Sequence, residues 1–117
     1  MAAPNIAALN TITGKTAVLA VTTSATAIVT NSAASNKVFK VNALYVANVD
    51  GTNSADVTVD IFRSSTAYKI AHTVAVPADS TLDIISKSIY LEEGDSLRLT
   101  ASANTRLEAV CSYEDIS

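Results

Sequence analysis

The sequence predicts an all-β fold: a single-domain antiparallel β-sandwich, jelly-roll-like, of about eight to ten short strands. Three observations carry this. Apolar residues recur at every second position in several stretches, the period of a strand with one buried face, while helical periodicity is weak throughout. β-branched residues dominate the apolar set. Turn clusters such as Asp50-Gly51-Thr52-Asn53-Ser54 and Glu92-Glu93-Gly94-Asp95 recur at a spacing of roughly 8–12 residues. No strand–helix–strand alternation is present, which disfavours a parallel α/β fold. The strand count leans above seven, and there is neither a tryptophan nor a cysteine pair, so a jelly roll is preferred to an immunoglobulin-like sandwich.

Residues 5–13 read as a weak strand or extended arm ended by Gly14, and residues 1–15 are set apart as an N-terminal arm or edge strand of a 16–117 sandwich domain. Residues 16–22 and 25–30 read as strands split at Thr23-Ser24. Phe39, Val41, Ala43, Tyr45, Ala47 and Val49 place an apolar residue at every odd position, so this long strand is expected to bury that row. Leu44 and Val46 then fall on the opposite face, where the same protein or a partner would cover them. Val57, Val59 and Ile61 form the next strand, expected to return on the first as a hairpin through Asp50-Gly51. A Ser64-Ser65-Thr66 turn leads to Tyr68, Ile70, His72, Val74 and Val76, stopped by Pro77. Short strands come next at 82–85 and 89–91, then two alternating strands led by Leu97 and by Leu107. The expected core is Phe39, Val41, Tyr45, Val57, Val59, Ile61, Ile70, Val74, Leu97, Leu99, Leu107 and Cys111.

The 117 residues suit one domain large enough to bury a core without staples. Eight basic against eleven acidic residues leave a net charge of −3, and the basic residues are spread from Lys15 to Arg106 without a cluster. A direct nucleic-acid partner is therefore disfavoured. Residues 16–36 carry no charge but are rich in Thr, Ser and Asn, unlike a bilayer span. The first residues lack the basic and apolar regions of a signal peptide, so synthesis in a reducing cytoplasm is expected. Charged residues make up only 16%, below the typical figure of about 25%, with Ala, Thr, Ser and Val in their place.

No constellation of residues points to catalysis, a cofactor or a metal. His72 is the single histidine and sits in an apolar row, where a hydrogen-bonded structural role is the plainer reading. Cys111 shares a row with Leu107, Ala109 and Tyr113 and has Glu108 and Glu114 nearby, the wrong charge for a reactive thiolate. Gly94-Asp95-Ser96-Leu97 spells the nucleophile block of a lipase and esterase family, but no histidine comes after it to act as its base. It reads better as a tight turn opening a strand. Asp50, Asn53 and Asp56 offer oxygens but lack an EF-hand order, and Glu92, Glu93 and Asp95 read as a solvated turn. The glycines Gly14, Gly51 and Gly94 lie too far apart for a phosphate loop.

Two blocks together carry a resemblance. One is Val41-Asn42-Ala43-Leu44-Tyr45-Val46-Ala47-Asn48-Val49-Asp50-Gly51. The other comprises Val76-Pro77-Ala78, the run from Ile89 to Leu97, and Cys111-Ser112-Tyr113-Glu114-Asp115-Ile116. In these the chain resembles small β-sandwich virion structural proteins of tailed bacteriophages, especially those infecting marine cyanobacteria. The resemblance implies a non-enzymatic part of the particle, with capsid decoration or cement protein as the leading role. The partner would then be the major capsid protein or another virion structural protein, contacted in many copies or as a homo-oligomer at the capsid surface. A neck, tail or fibre-attachment role is the first alternative, and a carbohydrate-binding sandwich on the virion surface the second. Ile6, Leu9, Ile12, Leu44 and Val46 are the expected partner-binding residues, because the arm has apolar side chains to bury and Leu44 and Val46 would cover a second face.

Overall fold

The computed structural model describes residues 10–117. Nine strands are described: β1 (Ile12–Val21), β2 (Thr26–Thr30), β3 (Val38–Asn48), β4 (Ala55–Arg63), β5 (Thr66–Val76), β6 (Thr81–Asp83), β7 (Ile89–Leu91), β8 (Ser96–Ala101) and β9 (Leu107–Ile116). They form two antiparallel sheets. One runs β1-β9-β3-β6, with β7 also on β3, and the other runs β2-β8-β4-β5. When β6 and β7 are counted as two halves of one strand position, the eight positions divide between the sheets in the order of a jelly roll, as expected. Within the described residues no helix is long and apolar enough to cross a membrane.

The boundary expected at residue 16 shifts. β1 begins at Ile12 and its first four residues already pair with β9, Ile12 opposite Ile116 and Lys15 opposite Tyr113. Gly14 does not end the strand, because an edge strand tolerates a residue without a side chain when both neighbours stay paired.

The expected hairpin between β3 and β4 is absent. These strands lie in different sheets, so residues 49–54 arch over one end of the sandwich. The Asp50 carboxylate caps this arch by accepting from the Thr52 and Asn53 backbone N–H groups, at 2.8 and 3.0 Å. Asn48 is buried below it and donates to the carbonyls of Asn53 and Val76, both at 2.9 Å. Asn31, also buried, donates to the carbonyls of Lys37 and Leu91. Each amide spends its donors on one loop carbonyl, Asn53 or Lys37, and one strand-end carbonyl, Val76 or Leu91. Gly94, at φ +90°, supplies the left-handed residue of the turn before β8.

The core expectation holds for Phe39, Val41, Val57, Val59, Leu97, Leu99, Leu107 and Cys111, which are buried, and Ile61 and Ile70 pack partly buried against them. It fails for Tyr45 and Val74, both exposed. For Tyr45 the cause is a bulge. The register of β3 against β9 shifts between Val41 and Ala43, leaving Asn42 as an extra residue. A bulge of one residue inverts the inward row beyond it. Val41 therefore points in, but Leu44 and Val46 point in as well, at 0% exposure, and Tyr45 turns out. Val74 keeps its place opposite the buried Val57 and is open because β5 is the outer strand of its sheet; the register of β5 with β4 shifts only beyond it, between Val57 and Val59 and again between Val59 and Asp60.

Candidate interaction surface

Among the described residues, the outer face of the β1-β9-β3 sheet brings three exposed large apolar side chains together. Its geometry comes from register. Val18 lies opposite Val110, which lies opposite Tyr45, and these three are 74%, 40% and 45% exposed. The neighbouring rows read Ala20–Glu108–Ala47 and Thr16–Ser112–Ala43. This three-by-three field holds one charged side chain, Glu108. A shallow depression lined by Val18, Leu19, Ala20, Glu108, Ala109 and Val110 lies at its β1 side. Cross-strand contact keeps such a row flat and preformed, since each side chain leans on the one opposite.

The opposite sheet's outer face is different. Arg98 donates to the Asp60 carboxylate at 2.9 Å and lies 4.0 Å over the Phe62 ring. Asp60 is buried beneath it. A charged, internally paired surface of this kind has already spent its hydrogen bonds. A small depression between Ile61, Arg63 and Tyr68 lies at its margin.

Two further buried aspartates lie at one end of the sandwich, on either side of the loop between β2 and β3: the Asn31 backbone N–H donates to the Asp95 carbonyl, and Lys37 reaches the Asp115 carboxylate. Asp95 accepts from Arg63 Nε at 2.7 Å and from the Glu92 backbone N–H at 2.8 Å. Burial alone would raise its pKa, but the Arg63 hydrogen bonds and charge hold it below the ordinary carboxylate value. Asp115 is likewise opposed by burial and held down by Lys15 at 3.0 Å and Lys37 at 3.2 Å.

The expected partner-binding residues separate. Ile6 and Leu9 lie outside the described residues. Ile12 is exposed at the start of β1. Leu44 and Val46 are corrected: the bulge at Asn42 sends them into the core, where their own protein covers them. The field around Val18, Val110 and Tyr45 escapes sequence reasoning. Only the bulge brings Tyr45 to it, and alternation alone places Tyr45 inside.

The remaining motifs have structural settings. His72 is exposed within the irregular part of β5. Cys111 is wholly buried, and burial pushes its thiol up to about 11. The Ser96 hydroxyl lies 3.4 Å from that of Thr30, and Asp95 beside it is engaged by Arg63. Among the described residues, no cluster of three His, Cys, Asp or Glu side chains is placed to hold a metal ion.

No family profile matches this chain, and no curated protein matches it. Solved structures do. A chain of the Bacillus endospore appendages, described as a novel family of disulfide-linked pili, is similar over 90% of this chain and 87% of its own, at 17% identity and a TM-score of 0.52. The nucleoplasmin-like N-terminal domain of Drosophila FKBP39 aligns over 87% of this chain and 85% of its own, at 14% identity and a TM-score of 0.44. The likeness to the appendage chain is one of fold: a small, all-β, two-sheet domain.

Proposed function

We propose that this chain is a non-enzymatic structural subunit of a tailed-phage virion, made in the host cytoplasm and bound in many copies to the assembled major capsid protein lattice. The observation that supports the reading is the outer face of the β1-β9-β3 sheet, nearly uncharged and apolar around Val18, Val110 and Tyr45. An area of Ala, Val, Thr and Ser with one aromatic anchor suits a broad protein contact. A subunit that binds only the expanded lattice stabilises that state by mass action. Ile12, exposed at the start of β1, extends the contact.

The appendage neighbour supports many-copy assembly as a use compatible with this fold. Its disulfide-linked chemistry does not carry over. This chain has one cysteine, Cys111, and it is wholly buried with a thiol pKa of about 11.

The deciding experiment is localisation and copy number on purified particles. Hundreds of copies support capsid decoration, while about six to twelve favour the neck, tail or fibre-attachment alternative, as ring symmetry there dictates. Val110→Asp, which leaves the core alone, is expected to abolish particle binding. Absence of the chain from particles, or unchanged binding by folded Val110→Asp, overturns the reading. One observation favours the glycan alternative: Tyr45, Tyr68 and Tyr90 are all exposed, and exposed aromatic rings are what sugars stack on. Glycan-array binding lost in Tyr68→Ala would establish it.

A further inference from the structure

The backbone hydrogen bonds of β1 divide into two sets. Thr11 and Ser117 exchange both of theirs, N–H to carbonyl in each direction, at 2.9 and 3.0 Å. In an antiparallel ladder such exchanging pairs alternate with non-exchanging ones. The register is unbroken from Ile12 opposite Ile116 to Val21 opposite Leu107. Thr13, Lys15, Ala17, Leu19 and Val21 therefore direct their backbone groups at β9. Ile12, Gly14, Thr16, Val18 and Ala20 direct theirs outward, and among the described residues no strand pairs with that side.

Other edges of the sandwich are blunted. β2 has five residues and a register shift between Ala27 and Val29. β6 and β7 have three residues each. β5 is irregular at two places. Short length and bulges are among the usual protections of an edge. β1 has none of them. It runs ten residues without bulge or proline. Its one charge, Lys15, lies on the inner side, held by Asp115.

We propose that a second copy of this chain pairs antiparallel along β1, joining two sandwiches through one continuous sheet. The outward row is self-complementary when the twofold axis passes at Thr16, the register that pairs all five outward residues. Ile12 then faces Ala20 of the second copy, Gly14 faces Val18, and Thr16 faces Thr16. Large meets small in the Ile12–Ala20 and Gly14–Val18 pairs, and Thr16 meets itself at the axis. A methyl group built on Gly14 meets nothing within 4 Å, which is the room that Val18 of the second copy fills. No charged side chain stands in the outward row, so the symmetric pairing opposes no like charges. This inference does not rest on the particle reading: pairing is read in purified protein through Thr16, and particle binding through Val110.

The test is sedimentation equilibrium of the purified chain. The native chain is expected to show a monomer–dimer equilibrium. Thr16→Pro removes an outward N–H without removing a bond to β9, and Val18→Lys puts a charge on the edge. Each should weaken dimerisation by at least about tenfold while the dilute protein keeps its melting temperature. Thr16→Cys supplies the register. Residues opposite in an exchanging pair have Cα atoms about 5.5 Å apart, within disulfide reach, so Thr16→Cys should cross-link on mild oxidation and Gly14→Cys should not. A monomer at every concentration up to about 1 mM overturns the proposal. So does a dimer indifferent to both edge variants, or cross-linking of Gly14→Cys as readily as Thr16→Cys.

Discussion

β1 and β5 are both edge strands of ten or more residues, yet they are built in opposite ways. β1 tracks β9 in an unbroken register. β5 tracks β4 with two interruptions and carries Lys69 and the exposed His72 along its outer length. The burial pattern reflects this: the second half of β1 alternates cleanly, while β5 is exposed along most of its length until Val76. Bulges twist an edge and spoil it as a template for a further strand. One sheet is closed to additions on its β5 side, and among the described residues the other remains open on its β1 side. Low charge in β1 is therefore a property of the edge itself, since Lys15 is turned inward to Asp115.

The contrast requires that stability come from the core beneath the edges and not from the edges themselves. Leu44→Ala in β3 and Leu99→Ala in β8 should each cost about 2–5 kcal/mol in urea unfolding, as wholly buried leucines do. Val18→Ala on the β1 edge should cost less than about 0.5 kcal/mol in dilute solution. A leucine cost near that of Val18→Ala would break the comparison at its base.

Two buried aspartates at one end of the sandwich are held by cations, and these anchors differ in redundancy. Asp95 depends on Arg63, whose second ion pair reaches only the exposed Glu92. Asp115 has both Lys15 and Lys37. Arg63→Ala strands a buried carboxylate and should cost about 2 kcal/mol, less than a fully buried pair because Arg63 itself is half in water. Lys15→Ala leaves Lys37 in place and should cost clearly less. Equal costs would show that the two lysines do not share the load.

Acid should expose the same anchors. Asp95 and Asp115 titrate below the ordinary value of 3.8 in the folded protein, so the unfolded chain takes up their protons first as pH falls. The stability they contribute is complete well above 3.8 and drains as pH drops through that value toward their folded pKa values. Urea midpoints should be flat from neutral pH to about 5 and fall below about 4. In Arg63→Ala the acid loss should shrink, because Asp95 no longer has its pKa held down. An unchanged acid slope would place the sensitivity elsewhere.

Much of the fold is legible in the sequence because alternation survives wherever register does. β8 and β9 read correctly as single inward rows: Leu97 and Leu99, then Leu107, Ala109 and Cys111. In β3 the alternation misleads from Asn42 onward because a bulge is an agreement between two strands, and Val41-Asn42-Ala43 carries no residue that announces one. The β3–β4 arch misleads for a related reason. Asp50-Gly51 supports a tight turn, but whether the chain returns to the same sheet is decided by the strands it meets. Asn31 and Asn48 are invisible as keystones in the sequence, since a buried asparagine looks like any loop asparagine until the carbonyls it serves are placed. The apolar field needs the bulge before Tyr45 can join Val18 and Val110.

The smallest effect expected involves no loss of stability and reads the two edges directly. In dilute monomer, amide hydrogen exchange along β1 should alternate. Thr13, Lys15, Ala17 and Leu19 donate into the ladder with β9 and should exchange slowly, near the global unfolding limit. Gly14, Thr16, Val18 and Ala20 direct their N–H groups outward and should exchange orders of magnitude faster. Along β5 the period should break at the register shifts, with Thr73 slower than its exposure suggests because the Thr58 hydroxyl accepts its N–H. Raising the protein concentration then separates the edges. If β1 pairs with a second copy, its fast amides slow while those of β5 do not change. Uniform protection along β1 in dilute monomer would mean that its outward side is already occupied, and the two edges would no longer differ.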